Sequence, residues 1–316
     1  MNTFPTRRSF LRSAALLPFA AALGGSRPKA AAAFAPIPRT GGPWLRPGLN
    51  AYSFLGLLNE NLKDAGKGLD LFGVCDFCAK HDIEAVDLTG YFFPGYPKPP
   101  ADSYVNRMKR YVHDRGIVIS GTGVKNDFAT ADPGVRAEGV QLTKDWIEVA
   151  ARLGAPVVRV FAGPRGDGPR ESVEGWMAEA LRACAEHGEK FGVLVAVQNH
   201  GDFLNSGAEH LSLLRRVDHE WCGALVDTGK YLTDDPYADI ALMVPHAVNW
   251  QIKETLGSSL KSPRSDFKRL AKIIHDGGYR GFVPIETLAM GRPDYDPFAE
   301  VEKVLSGLRE GIAALG

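Results

Sequence analysis

Gln198, Asp227, Gln251 and Glu286 each close a short apolar run: Val193-Leu-Val-Ala-Val-Gln198, Gly223-Ala-Leu-Val-Asp227, Val248-Asn-Trp-Gln251 and Phe282-Val-Pro-Ile-Glu286. Two carboxylates and two amide oxygens form a hard donor set. If they converge, they suit Mn²⁺ or Mg²⁺, with Ca²⁺ as a further option, better than Zn²⁺, which prefers His and Cys. Glu286 is the one glutamate among them that can serve as a general base, since an amide cannot carry a proton. Lys253 and His200 lie two residues beyond Gln251 and Gln198 and are the next catalytic candidates. Lys253 either pairs with Asp227 or Glu254, or polarises a carbonyl. His200 is either a substrate contact or a satisfied structural histidine. Plainer readings stand beside these: Gln198 and Gln251 bonding to each other in a polar mouth, and Asp227 capping the Asp-Thr-Gly turn.

Such residues need strands that end together. Five uninterrupted apolar residues before Gln198 read as a fully buried parallel strand, and a helical pattern separates successive runs. The strands read as Gly48–Phe54, Ala85–Thr89, Ile117–Val124, Pro156–Ala162, Val193–Gln198, Gly223–Asp227, Val248–Lys253 and Phe282–Glu286. The intervening helices read as Leu69–His81, Asp102–Arg115, Asp132–Gly154, a helix capped by Ser172 and ending near Gly192, Ala208–Val217, Pro236–Val244, Asp266–Asp276 and Pro297–Ala314. Eight such units in about 270 residues predict a single-domain (β/α)₈ TIM barrel spanning 48–316, of the α/β class. A doubly wound sheet would want a glycine-rich phosphate turn after its first strand, and none is there. Alternation points Leu194, Ala196, Gln198 and His200 inward, with Leu225 and Asp227, Asn249, Gln251 and Lys253, and Pro284 and Glu286. Around the same rim, Asn50, Tyr52, Tyr91, Lys125, Arg159 and Asn199 are expected to bind substrate, with Tyr91-Phe-Phe-Pro-Gly-Tyr96 either an aromatic wall for a ligand face or a loop that packs on neighbouring helices.

Lys plus Arg equals Asp plus Glu at 37 each, so no broad basic field exists to hold nucleic acid and a small, weakly charged ligand is favoured. The first 33 residues read as an address: Thr6-Arg-Arg-Ser-Phe-Leu11 fits the twin-arginine export pattern, and Ala31-Ala-Ala33 offers a cleavage site before Phe34. The apolar stretch Ala14–Leu23 is about half the length that spans a bilayer, so no lasting membrane insertion is expected after its removal and the mature protein is placed in the periplasm or outside the cell. Pro36–Pro47 carries four prolines in twelve residues, and 34–47 reads as an extended linker. The four cysteines fall on apolar helix faces or enter a strand, which predicts buried free thiols.

The Asp227-Thr-Gly229 run and Tyr279-Arg-Gly-Phe-Val-Pro-Ile-Glu286 resemble the xylose isomerase-like barrel superfamily, often described as sugar phosphate isomerases and epimerases. The resemblance covers the chain from about Gly48 onward. It implies four strand ends that supply Glu, Asp, His and Glu to a divalent metal, with the two glutamates moving a proton on either face of an enediolate. This chain keeps Asp227 and Glu286 but has Gln198 in place of the first Glu and Gln251 in place of the His. Three function classes follow: an exported, metal-assisted isomerase or epimerase on an unphosphorylated sugar, with Glu286 as its single base, or equally a lyase or hydratase of oxidised 3-keto glycosides; a catalytically silent sugar-binding barrel; and last an abasic-site endonuclease, which would need a His-rich zinc cluster and a basic face.

Overall fold

The structure, a computed structural model, describes residues 34–316 apart from Arg165, Asp167, Gly201, Asp202, Ser258 and Leu260. The proposed leader, residues 1–33, therefore lies outside the described residues. Eight parallel strands run β1 Trp44–Asn50, β2 Ala85–Thr89, β3 Val118–Gly123, β4 Val157–Phe161, β5 Leu194–Gln198, β6 Cys222–Asp227, β7 Ala247–Gln251 and β8 Arg280–Ile285. Each pairs with its neighbour in sequence as far as β7, and β8 pairs with β1. The remaining seam is closed at one residue: Ile252 donates to Pro284 O at 2.8 Å and accepts from the Glu286 amide at 2.9 Å. The result is a single-domain (β/α)₈ barrel, and those two bonds bring the ends of β7 and β8 together.

The helices are α1 Leu55–Lys63, α2 Leu71–Lys80, α3 Asp102–His113, α4 Pro133–Leu153, α5 Arg170–Phe191, α6 Gly207–Val217, α7 Pro236–Met243, α8 Phe267–Asp276 and α9 Pro297–Ala313. Their starts are chemically marked. Asp132 accepts from the Gly134 and Val135 amides with Pro133 at the first helical position, and Ser206 forms a reciprocal capping box with Glu209. Helix α4 ends on Gly154 at φ +80°, a left-handed cap that favours glycine.

Most strand ends shift by one or two residues from the sequence reading, and three departures change what the residues do. Strand β1 begins at Trp44, inside the stretch read as linker, and stops at Asn50. Proline density misleads here because pairing to β2 starts only at Gly48, so the residues up to Pro47 need a partner on the β8 side alone. The preceding segment is also held: Ile37 donates to Pro245 O, Arg39 donates to Ala247 O, and Phe34 packs on the His246 ring. Residues 51–54 form a 3-10 turn leading into α1, where a strand was expected. Ser172 lies in the first turn of α5 and does not cap it; Pro169 precedes the helix.

Two apolar layers result from strand alternation. The outer one fills the space between strands and helices, with Val195, Val197, Val226 and Trp250 fully buried there. The inner one, Val157, Ala196 and Leu225, plugs the lower barrel. Above it, Asp87 and Asn249 meet across the barrel at 3.0 Å, and Gly121 makes room for them, since a Cβ there would come within 2.7 Å of Asp87 Oδ2. The four cysteines are buried and free, and burial pushes the Cys75, Cys184 and Cys222 thiols up to about 12.

Candidate active site

The cavity at the C-terminal rim measures about 470 Å³, the scale of a small-molecule site. Its wall includes Tyr52, Tyr91, Lys125, Arg159, Gln198, His200, Asp227, Gln251, Lys253 and Glu286. Ten of the twelve residues expected to act there thus reach one opening, because each stands on the C-terminal half of a strand or just past it, where inward positions alternate with buried outward ones.

The two others are turned into the scaffold. Asn199 is fully buried; its side-chain amide donates to Asp227 O at 2.9 Å, and its Oδ1 accepts from the Asp227 amide at 2.8 Å. It clamps the backbone of the residue that matters most on β6. Asn50 accepts from the Tyr52 amide and from the Thr89 hydroxyl, so it fixes the turn that presents Tyr52. Neither lines the cavity.

At the floor of the cavity, Gln198 Nε2 donates to Asp227 Oδ2 at 2.9 Å and to Gln251 Oε1 at 2.6 Å. Asp227 Oδ1 accepts from the Gly229 amide at 3.0 Å, the turn-capping role noted for Asp-Thr-Gly. Lys253 Nζ donates to Glu286 Oε1 and stands 3.5 Å from Asp227 Oδ2. Burial pulls the pKa of this lysine down, but the Asp227 and Glu286 carboxylates outweigh it and hold the pKa above the usual lysine value. Its stem is seated: the Lys253 amide donates to Thr228 Oγ1 at 2.9 Å, and a Cβ on Gly229 would come within 2.8 Å of Lys253 Cγ.

The walls are aromatic and cationic. Arg159, nearly buried, donates to Val124 O at 2.7 Å and lies 4.1 Å from the Phe161 ring centroid and 5.3 Å from that of Tyr91. Tyr91 donates to Val124 O, and its phenol is pushed up to about 12 by burial, with Arg159 opposing. The Tyr52 phenol is also raised, first by burial and then by the nearby Glu286 charge. His200 packs edge-on to Phe161 with centroids 4.6 Å apart.

Sequence reasoning missed Asp87, Phe161, Lys230 and Asn59. Phe161, Lys230 and Asn59 line the cavity, whereas Asp87 lies beneath it, where burial raises its pKa to about 6 against the pull of Arg159. Alternation would have found two of them, Asp87 on β2 between Ala85 and Thr89, and Phe161 two residues past Arg159. Asn59 sits on α1, for which the sequence reading had no helix.

These residues do not fit the divalent cation expected of them. A cation cage presents oxygens inward, but here Gln198 turns its N–H groups onto Asp227 and Gln251, and an ammonium lies against both carboxylates. Among the described residues, no three of His, Cys, Asp and Glu gather into a metal-binding group. Gln198 Oε1 is left buried with no hydrogen-bond partner, an acceptor that one donor of a bound ligand or water would satisfy.

Comparison with curated protein sequences returns no match. Solved structures share the fold. D-psicose 3-epimerase from Clostridium cellulolyticum H10, with D-tagatose, aligns at a TM-score of 0.69 and 15% identity over 84% of this chain and 99% of its own. L-ribulose 3-epimerase aligns at 0.68 and 16% identity, over 86% of this chain and 97% of its own. The IOLI protein with a bound zinc atom aligns at 0.63 and 13% identity, over 85% and 96% of the two chains. The xylose isomerase-like TIM barrel family model matches residues 75–311, which contain every residue of the Gln198, Asp227, Gln251, Lys253 and Glu286 cluster, and the chain belongs to that family.

Proposed function

We propose that this protein is a carbohydrate isomerase or epimerase-type enzyme that removes a proton from the carbon beside the carbonyl of a small sugar, with Glu286 as the base. The observation that carries this reading is the Glu286 carboxylate held beside the buried Lys253 ammonium in the wall of a cavity that Tyr52 and Tyr91 also line. A carboxylate so placed can take a carbon-bound proton while N–H donors receive the charge that develops on oxygen. The D-psicose and L-ribulose 3-epimerases that share the fold support a ketose as the substrate to try first. The sequence has no phosphate-cradling glycine-rich turn, which favours an unphosphorylated sugar.

One base also serves elimination or hydration of a 3-keto glycoside, because the first proton transfer is the same. The replacement of the first family glutamate by Gln198 favours this alternative, since no second glutamate stands there to return a proton on the opposite face. Incubation with ketoses and 3-keto glycosides in D₂O, followed by NMR, separates the two. Deuterium at the carbon beside the carbonyl marks isomerisation or epimerisation, and release of the aglycone marks elimination. If neither appears while sugar still binds, the protein is a silent sugar-binding barrel and the enzymatic reading is wrong.

Mn²⁺ or Mg²⁺, with Ca²⁺ next, remains the ion that hard donors would select, but Lys253 would first have to leave Glu286. Export by the twin-arginine route is part of the proposal, supported by the Thr6-Arg-Arg-Ser-Phe-Leu11 run and the alanine site before Phe34.

A further inference from the structure

We infer that the ammonium of Lys253 holds the place and does the work that a divalent cation does in metal-dependent barrels of this kind, so that the site operates on a built-in cation. The inference rests on the proton-abstraction reading for its chemistry, though not for its geometry.

Three observations carry it. The ammonium is buried, opens onto the cavity, and lies 3.5 Å from Asp227 Oδ2 while donating to Glu286 Oε1, so it sits where an ion bridging those carboxylates would have to be. Of the two neutral amides, Gln251 Oε1 is already committed as acceptor from Gln198, and Gln198 turns N–H groups rather than its oxygen toward Asp227 and Gln251. Finally, the lysine is seated from several sides, by Thr228 Oγ1 on its amide, by Ser265 Oγ donating to its carbonyl at 2.7 Å, and by the side-chain-free surface of Gly229 against its stem. A long flexible side chain held this way has its charge pre-positioned, which is what an electrophile in an enolising site requires.

The geometry also assigns a sequence of events. The substrate carbonyl oxygen replaces Glu286 as the acceptor on Nζ, and the released carboxylate, no longer neutralised by its partner, becomes a stronger base. Glu286 then takes the proton from the adjacent carbon. The C–H electron pair forms the carbon–carbon double bond, the carbonyl π pair moves onto oxygen, and the resulting negative charge rests on the ammonium. Delivery of that proton by Glu286 to the former carbonyl carbon, with the neighbouring hydroxyl proton passing to the former carbonyl oxygen, gives the isomer with no net proton gained or lost, so no outside oxidant or acid is consumed.

Manganese titration of the chelator-treated full chain by calorimetry or electron paramagnetic resonance decides the matter independently of turnover. Wild type is expected to bind Mn²⁺ at no more than about 0.1 equivalent at 100 µM free metal, a loading set by a ~1 mM or weaker site. Lys253→Met, which removes the charge and leaves Asp227 and Glu286 facing each other, is expected to bind Mn²⁺ at least about tenfold more tightly. Stoichiometric Mn²⁺ on the wild type overturns the inference, and so does a folded Lys253→Met that binds no better than wild type. If Lys253→Met does not fold, the wild-type titration and the milder Lys253→Gln decide in the same way. Failure of every sugar substrate would sink the proton-abstraction reading while leaving the titration to judge the cation seat.

Discussion

Gln198 and Gln251, separated by 53 positions in the chain, are joined by a 2.6 Å hydrogen bond across the mouth of the barrel, and the same Gln198 nitrogen reaches Asp227 at 2.9 Å. This one amide group sets the polarity of the whole cluster. Because its N–H groups face Asp227 and Gln251, both are fixed as acceptors, and its own Oε1 is left as the unpartnered atom. The neighbouring Lys253 then finds Asp227 and Glu286 arranged around it.

Substituting Gln198→Glu removes both donated bonds and sets a new carboxylate about 3 Å from Asp227. We expect a loss of about 2–4 kcal/mol in stability without added metal, from two unmade bonds and like-charge repulsion. The double variant Gln198→Glu with Gln251→His restores the family pattern, and its melting temperature should rise on adding Mn²⁺. Thermal melts with and without Mn²⁺ check both; a Gln198→Glu chain as stable as wild type would show that the amide does not bridge the cluster.

Glu286→Gln keeps the shape and a hydrogen-bonding oxygen while removing the base. Turnover of the working substrate should fall by about 10²-fold or more, with melting lowered as the buried Lys253 keeps only Asp227 as counter-charge. Full activity in a folded Glu286→Gln protein would move the base to His200 or Lys253.

Asn199→Ala breaks two buried bonds to the Asp227 backbone and leaves the Asp227 peptide N–H without its side-chain acceptor, while the Asp227 carbonyl keeps the Lys230 amide at 3.2 Å. The expected cost is about 1–3 kcal/mol in unfolding free energy. Since Asn199 is turned onto the Asp227 backbone and does not line the cavity, kcat should drop as Asp227 loosens while KM moves by no more than about twofold. A large KM effect with unchanged stability would restore it to the substrate-binding set.

His210 lies fully buried behind β5, with its ring nitrogens on Tyr231 Oη at 2.9 Å and Val197 O at 3.0 Å. Burial, the dominant cause, lowers its pKa from 6.5 to about 4, so the fold holds it neutral. The unfolded chain protonates it below about pH 6.5, whereas the native state resists until about pH 4. Its contribution is therefore complete above pH 6.5 and is lost as pH falls through that window, by about 3 kcal/mol in all. Denaturant titrations from pH 7 to 4 should show this slope, and His210→Gln should flatten it. An unchanged slope in the variant would assign the effect to other groups.

Changing Arg7 and Arg8 to lysines should leave precursor in the cytoplasm, read with a reporter that passes only through a folding-dependent export route. N-terminal sequencing of the exported form should begin at or near Phe34. Unaltered export of the lysine variant would remove the twin-arginine assignment.

The sequence by itself determined which residues meet. A period of two along each strand forces Gln198, Asp227, Gln251 and Glu286 to the inside, and the repeated strand and helix units bring those strand ends to one rim. It also marked the start of α4, because Asp132-Pro133 acts through local backbone chemistry alone. Only the tertiary structure decided how the residues face one another. Hydrogen-bond direction at Gln198 depends on partners 29 and 53 positions away, Lys253 turns to carboxylates on β6 and at the end of β8, and Asn50 and Asn199 spend their polar atoms on nearby backbone and hydroxyl groups. Periodicity fixes the side of a strand on which a side chain lies; whether it then presents a donor, an acceptor or a charge is settled by competition among neighbours that the chain brings together only when the barrel closes.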